Sequence, residues 1–234
     1  MAGTFLTAEW RNLLMVNYAI DPNVLQPLVP AGTEIDLWGG RAFVSVVGFQ
    51  FLNTKLLGVP VPFHRDFDEL NLRFYVRRNA GGAWREGVVF VKEVVPKWAV
   101  AFVARTVYNE NYVRMPMRSK IVVPGRVRYE WKYEGAWDGV AATAVGEPYV
   151  PAACSEEAFI TDHYWGYARQ RDGSTKEYEV EHAPWRVWRC EAPSLTCRVA
   201  NLYGEQFVAA LSAAPSSAFI ADGSAVIVRN GVRV

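Results

Sequence analysis

From Glu69 to Val76 the chain alternates without a break: Glu69, Asn71, Arg73 and Tyr75 fall on one parity, Leu70, Leu72, Phe74 and Val76 on the other. Successive side chains of a strand point to opposite faces, whereas a helix would scatter this pattern around its axis. The segment therefore reads as a strand whose apolar face belongs to a core. Its other face is either solvated or lines a polar cavity. A carboxylate, an amide, a guanidinium and a phenol in a row can satisfy one another when water is scarce, so the expectation is a cavity, with a pairing of Glu69 and Arg73 in it left open. The run "RVRYEWKYE" makes the contrast: Arg128, Glu130, Lys132 and Glu134 alternate in sign, as on a solvated face with cross-strand ion pairs.

Other β-branched and aromatic runs, separated by Gly, Pro, Asn or Asp, read the same way: "RAFVSVVGFQFL", "EGVVFVKEVV", "WAVAFVARTVY" and "TKEYEVEH". The closing "AFIADGSAVIVRNG" brackets Asp222 and Gly223, which predicts a hairpin with its turn there. Helical signals are few. Asp21 and Pro22 suit an N-cap and first helical residue, Ser155 precedes two acids, and "NLYGEQFVAAL" predicts a third short helix. Many strands and few helices predict a mainly β fold of α+β type, a single antiparallel β-barrel or cone closed by short helices and able to enclose a ligand. With no linker and no repeat, residues 1–234 read as one domain.

Twenty-five basic against 24 acidic residues leave no electrostatic footprint for nucleic acid or an anionic membrane, which favours a small-molecule partner. Three cysteines without a CxxC pair point to a reducing, cytoplasmic setting. Neither a signal peptide nor a membrane-spanning run is read from the sequence.

No phosphate-cradling glycine loop, GxSxG or HExxH occurs, so neither a cofactor nor a metal is expected. His64 with Asp66 or Glu69, and Asp162 with His163, lack diagnostic metal-ligand spacing; His163 is expected to orient a neighbour through a hydrogen bond. Lys92 shares its parity with Val88, Phe90 and Val94, leaving open a buried nucleophile or a stem lying on the sheet with its ammonium outside. Aromatic residues, 14% of the chain, serve either as core or as pocket wall.

Several longer strings carry a resemblance: "LTAEWRNLLMVNY", "DPNVLQPLVPAGTEID", "GVPVPFHRDFDELNLRFYV", "ARTVYNENYVRMPM" and "DHYWGYARQRDGSTKEYEVEH". Together they resemble the bacterial YqjF-like family, a family of unknown function, over nearly the whole chain. That family is similar in turn to acetoacetate decarboxylase, a curved β-barrel or cone with an internal pocket. Phe67 and Glu69 in "DFDEL" match the pocket aromatic and glutamate of the decarboxylase pattern. Asn111, Tyr112 and Val113 stand where its lysines would be, after Arg105 and Tyr108 of the flanking stretch, and Tyr18 or Ala19 stands where it carries a pocket arginine. The resemblance thus implies the fold and the pocket without the Schiff-base lysine.

The expected function is a small-molecule pocket for an organic acid or carbonyl compound. Glu69 serves as acid, base or acceptor and Arg73 holds an anionic group; His64, Asn71, Tyr75, Arg105 and Tyr108 bind substrate. An enzyme of this kind would be a lyase or hydrolase working without an imine, and a homo-oligomer is compatible with the sequence. The alternative is a non-catalytic interaction or structural protein whose barrel is packed solid.

Overall fold

A computed structural model of the chain describes residues 3–98 and 109–234. Its first half carries β1 (Thr4–Ile20), β2 (Glu34–Ile35), β3 (Ala42–Leu56), β4 (Val59–Pro60), β5 (Phe67–Ala80) and β6 (Ala83–Val95). Then follow β7 (Tyr112–Arg114), β8 (Met117–Ile121), β9 (Gly125–Tyr133), β10 (Ala136–Tyr149), β11 (Trp165–Arg169) and β12 (Thr175–His182). Last come β13 (Val187–Thr196), β14 (Ser217–Arg229) and β15 (Val232–Arg233). The strand expected at "WAVAFVARTVY" lies largely outside the described residues.

All of these strands join one sheet, in the order β15-β12-β11-β6-β5-β3-β1-β14-β13-β10-β9-β8, with β2, β4 and β7 attached at its sides. A further pairing of β12 with β14 brings the path from β12 through β11, β6, β5, β3, β1 and β14 back to its start. The expected antiparallel sheet is corrected in one respect. Both β11 and β7 pair parallel with β6, because long connections, not hairpins, lead to them, and the sheet is mixed.

Strand β5 sits between β3 and β6, and both of its faces are buried. Leu70, Leu72, Phe74 and Val76 enter a core shared with Trp131, Leu202 and Phe207, while the opposite face meets a second apolar cluster containing Phe49, Phe51 and Phe219. Both faces are thus withdrawn from bulk solvent, the Glu69 face slightly less so, with Arg73 at 8% exposure.

Two irregularities decide which residues look inward. On β6 the pairing with β5 slips by one residue: Leu72 faces Lys92, but Arg73 already faces Phe90. A bulge of this kind transfers every later residue to the other face. Val88 and Phe90 therefore share the inner face with Glu93, and Lys92 is turned outward, where its ammonium donates to the Leu202 carbonyl. The expectation that Lys92 shares the face of Val88 and Phe90 is corrected accordingly. The second irregularity is Gly223. The predicted hairpin does not form; β14 runs through Asp222 and Gly223 as one strand, paired with β1. Gly223 has φ +81°, and a Cβ there would lie 1.9 Å from the Trp10 carbonyl oxygen, so glycine serves a close strand approach instead of a turn.

The helices are short. Asp21 caps Pro22–Leu25 by accepting from the Asn23 amide at 2.9 Å, and Ser155 caps Glu156–Thr161 by accepting from the Ala158 amide at 3.1 Å. The helix expected across "NLYGEQFVAAL" is divided by Gly204 into Val199–Tyr203, a 3-10 turn at Glu205–Phe207 and Val208–Leu211. Among the described residues no helix is long and apolar enough to cross a membrane.

Candidate functional site

On the inner side of β5 the core is not filled. A cavity of about 200 Å³ lies between β3, β5, β6, β7 and β12, which speaks against the solid-barrel alternative. Its walls are mostly aromatic and aliphatic, among them Trp10, Phe49, Phe51, Phe67, Phe90 and Trp165. At Gly166 a Cβ would fall 2.2 Å from the Tyr178 ring, so the absence of a side chain lets Tyr178 lie flat against β11 at this wall.

Three carboxyl groups reach the cavity from different strands and loops: Glu69 on β5, Glu93 on β6 beyond the bulge, and Glu110 just before β7. Each has a tyrosine beside it. The Tyr112 hydroxyl donates to Glu69 Oε2 at 3.2 Å and also interacts with Glu93, while the Tyr178 hydroxyl donates to Glu110 Oε1 at 3.0 Å. Asn71 Nδ2 donates to Glu69 Oε1 at a long 3.4 Å.

Burial disfavours the charged form of all three acids. It pushes Glu69 up to about 8 against the bonds from Asn71 and Tyr112, and Glu110 up to about 8 against the bond from Tyr178. Glu93 is raised well above the ordinary carboxyl value, first by burial and then by the charges of Glu110 and Glu69. At neutral pH the cluster is therefore rich in protonated carboxyls, able to donate as well as accept. Among the described residues no group of three or more His, Cys, Asp and Glu side chains has the geometry to hold a metal ion.

The residues singled out from the sequence separate into groups. Glu69, Asn71 and Arg73 all line the cavity, and so does His64, whose Nδ1 lies 2.8 Å from the Pro62 carbonyl oxygen. Tyr75 is buried but is not part of the cavity wall: its hydroxyl shares a 2.6 Å hydrogen bond with Ser45, which in turn donates to Asn17 at 2.6 Å. Arg105 and Tyr108 lie outside the described residues. Glu69 and Arg73 do not pair: Arg73 Nη2 donates to the Ile160 carbonyl at 3.0 Å, and its guanidinium lies 5.6 Å from the Tyr75 ring centroid. Two residues of the same parity separated by a third stand about 13 Å apart along a strand, too far to pair unless both side chains fold back.

His163 is also not the hydrogen-bonding orienter expected. It is buried at the cavity wall with its ring 4.7 Å from that of Tyr75, and neither ring nitrogen has a hydrogen-bond partner among the described residues; Nε2 stands 3.6 Å from Asp36. On β9, Glu130 does make the cross-strand ion pair read from its alternating charges, to Arg118 at 2.9 Å, and a second to Arg128 at 2.7 Å.

Sequence reasoning missed Glu93, Glu110, Tyr112 and Tyr178 as cavity residues. The parity of Tyr178 and Val180 within "KEYEVEH" was a usable signal for one inward face. Parity pointed Glu93 the wrong way, because the bulge before it leaves no mark in composition.

A search of protein families matches residues 7–225 to DUF2071, described as "Uncharacterized conserved protein". The chain is 26% identical over 203 residues to the "Uncharacterized protein YqjF" of Bacillus subtilis strain 168, covering 83% of this chain and 80% of that protein. Among solved structures it is similar to an acetoacetate decarboxylase from Legionella pneumophila, with TM-score 0.69 and 12% identity over 99% of this chain and 88% of that one. The enduracididine biosynthesis enzyme MppR complexed with pyruvate gives TM-score 0.68 and 13% identity over 100% of this chain and 91% of that one. An acetoacetate decarboxylase-like enzyme from Sphingomonas wittichii RW1 gives 0.68 and 14%, over 99% and 93%. At such identities the likeness is one of fold: mainly β with few short helices, as in acetoacetate decarboxylase. By the match across most of its length, the chain belongs to the DUF2071 family.

Proposed function

We propose that the ring of paired strands acts as a barrel wall around a small-molecule site, and that the chain binds there an organic acid or carbonyl compound handled by general acid–base chemistry. The observation that carries this reading is Glu69: a fully buried carboxyl at a cavity wall, held by Tyr112 and Asn71, with its pKa pushed up to about 8. A carboxyl of that kind donates a proton or hydrogen bond to a carbonyl oxygen and takes the proton back near neutral pH. Arg73 supports the acid or carbonyl end, since its buried Nε has no partner among the described residues and is a donor left for a ligand oxygen. Aromatic walls supply the apolar contact common to small-molecule sites. No lysine is among the described residues lining the cavity, which favours chemistry without an imine. The pyruvate bound in MppR makes a small oxo acid a reasonable first probe.

The test is a mass-spectrometric search for compounds released from natively purified protein, followed by thermal shift with matched oxo acids, ketones and carboxylic acids. A released carbonyl or carboxyl compound that raises Tm, and does so less in Glu69→Gln, supports the reading. No released compound together with no shift from any probe would overturn it.

A further inference from the structure

The carboxyl cluster is richer in acceptors than an acid-binding pocket needs. Glu69, Glu93 and Glu110 open on one cavity, and the hydroxyl donors of Tyr112 and Tyr178 are already given to Glu69 and Glu110. Two acceptors are left over. Glu93 Oε2 and Asn71 Oδ1 are completely shielded from solvent, on residues each only 2% exposed, and have no partner among the described residues. Buried polar oxygens are rarely left orphaned in folded proteins, and a donor on whatever fills the cavity would satisfy these two.

The charges make the donor's class specific. Arg73 is the one arginine or lysine among the described lining residues, and it is engaged by Ile160, about 13 Å along the strand from Glu69 by the usual rise per residue. Nothing cationic in the described wall therefore compensates the acids at their own end. Phe90 and Trp165 stand at the same wall, and aromatic faces attract a desolvated cation as well.

We propose that the ligand carries a protonated amine seated against Glu69, Glu93 and Glu110 and, at the far end of an apolar body, a carbonyl or carboxyl group that faces Arg73: an amino acid or amino ketone whose two polar groups are well separated. This rests on the cavity being a small-molecule site and specifies its substrate class. Entry of a cation favours the ionised form of each acid, so binding at neutral pH releases protons and tightens as pH rises toward the amine's own pKa. The groups that titrate with it are Glu69, Glu93 and Glu110, with the phenols of Tyr112 and Tyr178 packed on them. His64, His163 and the permanent charge of Arg73 complete the ionisable lining.

The experiment uses four probes on one phenylethyl frame, measured by calorimetry with the full chain at pH 7 in two buffers of different ionisation heat: 2-phenylethylamine, 3-phenylpropanamide, 3-phenylpropanoate and 4-(2-aminoethyl)benzoate. The amine and the aminoethylbenzoate are expected to bind more tightly than the amide and the acid, with proton release, and in Glu93→Gln the amine-to-amide affinity ratio falls about tenfold, a change of about 1.4 kcal/mol. Glu110→Gln provides the same readout should Glu93→Gln fold poorly. If the amide or acid binds as well as the amine, or the ratio is unmoved in both variants, the amine inference fails and the small-molecule reading stands. If none of the four binds, the amine inference is overturned, and the small-molecule reading is decided by the search for released compounds.

Discussion

The Tyr112 hydroxyl donates to Glu69 Oε2 across 3.2 Å, so the partner of the buried carboxyl is a phenol from β7 and not the guanidinium four residues along its own strand. This relationship joins two strands that do not pair with each other, β5 and β7, through the cavity. A neutral donor stabilises an ionised carboxyl without fixing it as one half of an ion pair, which leaves Glu69 free to change protonation state.

Replacing Tyr112 with Phe removes that bond and leaves the ring. Because the hydroxyl favours the ionised form, its loss raises the Glu69 pKa further. Stability is expected to fall by about 1–3 kcal/mol above pH 8, where the carboxylate loses its donor, and by about 0.5–1.5 kcal/mol near pH 6, where it is neutral. Urea unfolding at the two pH values measures the difference, and an equal loss at both would mean that Glu69 does not titrate between them.

Glu69 and Arg73 are expected to behave independently. Had they formed a buried pair, removal of either would strand the other's charge at about 3–5 kcal/mol. Since Arg73 is bonded to Ile160 and Glu69 to Tyr112 and Asn71, the costs of Glu69→Gln and Arg73→Leu should add within about 0.5 kcal/mol in the double mutant. Equilibrium unfolding of the three variants gives the coupling energy, and a coupling of several kcal/mol would restore the ion pair.

How far the sequence reaches is clear at these same residues. Parity alone distinguishes the Glu69, Asn71, Arg73 face from the Leu70, Leu72, Phe74 face, because the pleat imposes it wherever a strand is regular. It fails one strand away at Glu93, where a single extra residue in β6 reverses the faces. Nor does it find Glu110 and Tyr112, which approach the cavity from a connection and a three-residue strand with too little periodicity to read. The Gly223 signal was real but ambiguous: positive φ serves a hairpin turn and a close strand crossing equally well, and only the Trp10 carbonyl beside it decides. The ion pairs of Glu130 were legible because alternating charge on a wet strand face has few other uses.

No lysine is expected to form an imine. Lys92, the amine that the bulge turns out of the cavity, is bonded to the Leu202 carbonyl, and its pKa is lowered by burial. Treatment with acetoacetate and borohydride should leave the protein mass unchanged. A stable adduct at Lys92 or any other lysine would overturn this expectation.

The acid cluster also dictates how stability depends on pH. Glu69 and Glu110 titrate near 8 in the folded chain and Glu93 well above its ordinary value, whereas each returns to about 4.5 when unfolded. Below pH 4.5 both states hold these protons and the groups cost nothing. As pH rises, the unfolded chain ionises first and binds fewer protons than the folded one, so stability declines by up to about 1.4 kcal/mol per pH unit for each acid, until Glu69 and Glu110 ionise in the folded chain as well near pH 8. This is opposite in sign to the contribution of Glu130, whose pKa is lowered chiefly by its bond from Arg118 and whose stabilisation is lost on acidification. Denaturant unfolding from pH 5 to 8 should show the decline in the wild type and a shallower slope in Glu69→Gln, which cannot ionise in either state. A wild-type profile that is flat or rising over that interval, or a Glu69→Gln slope equal to it, would mean that the carboxyl is ionised in the folded protein and that the cavity holds a permanent negative charge.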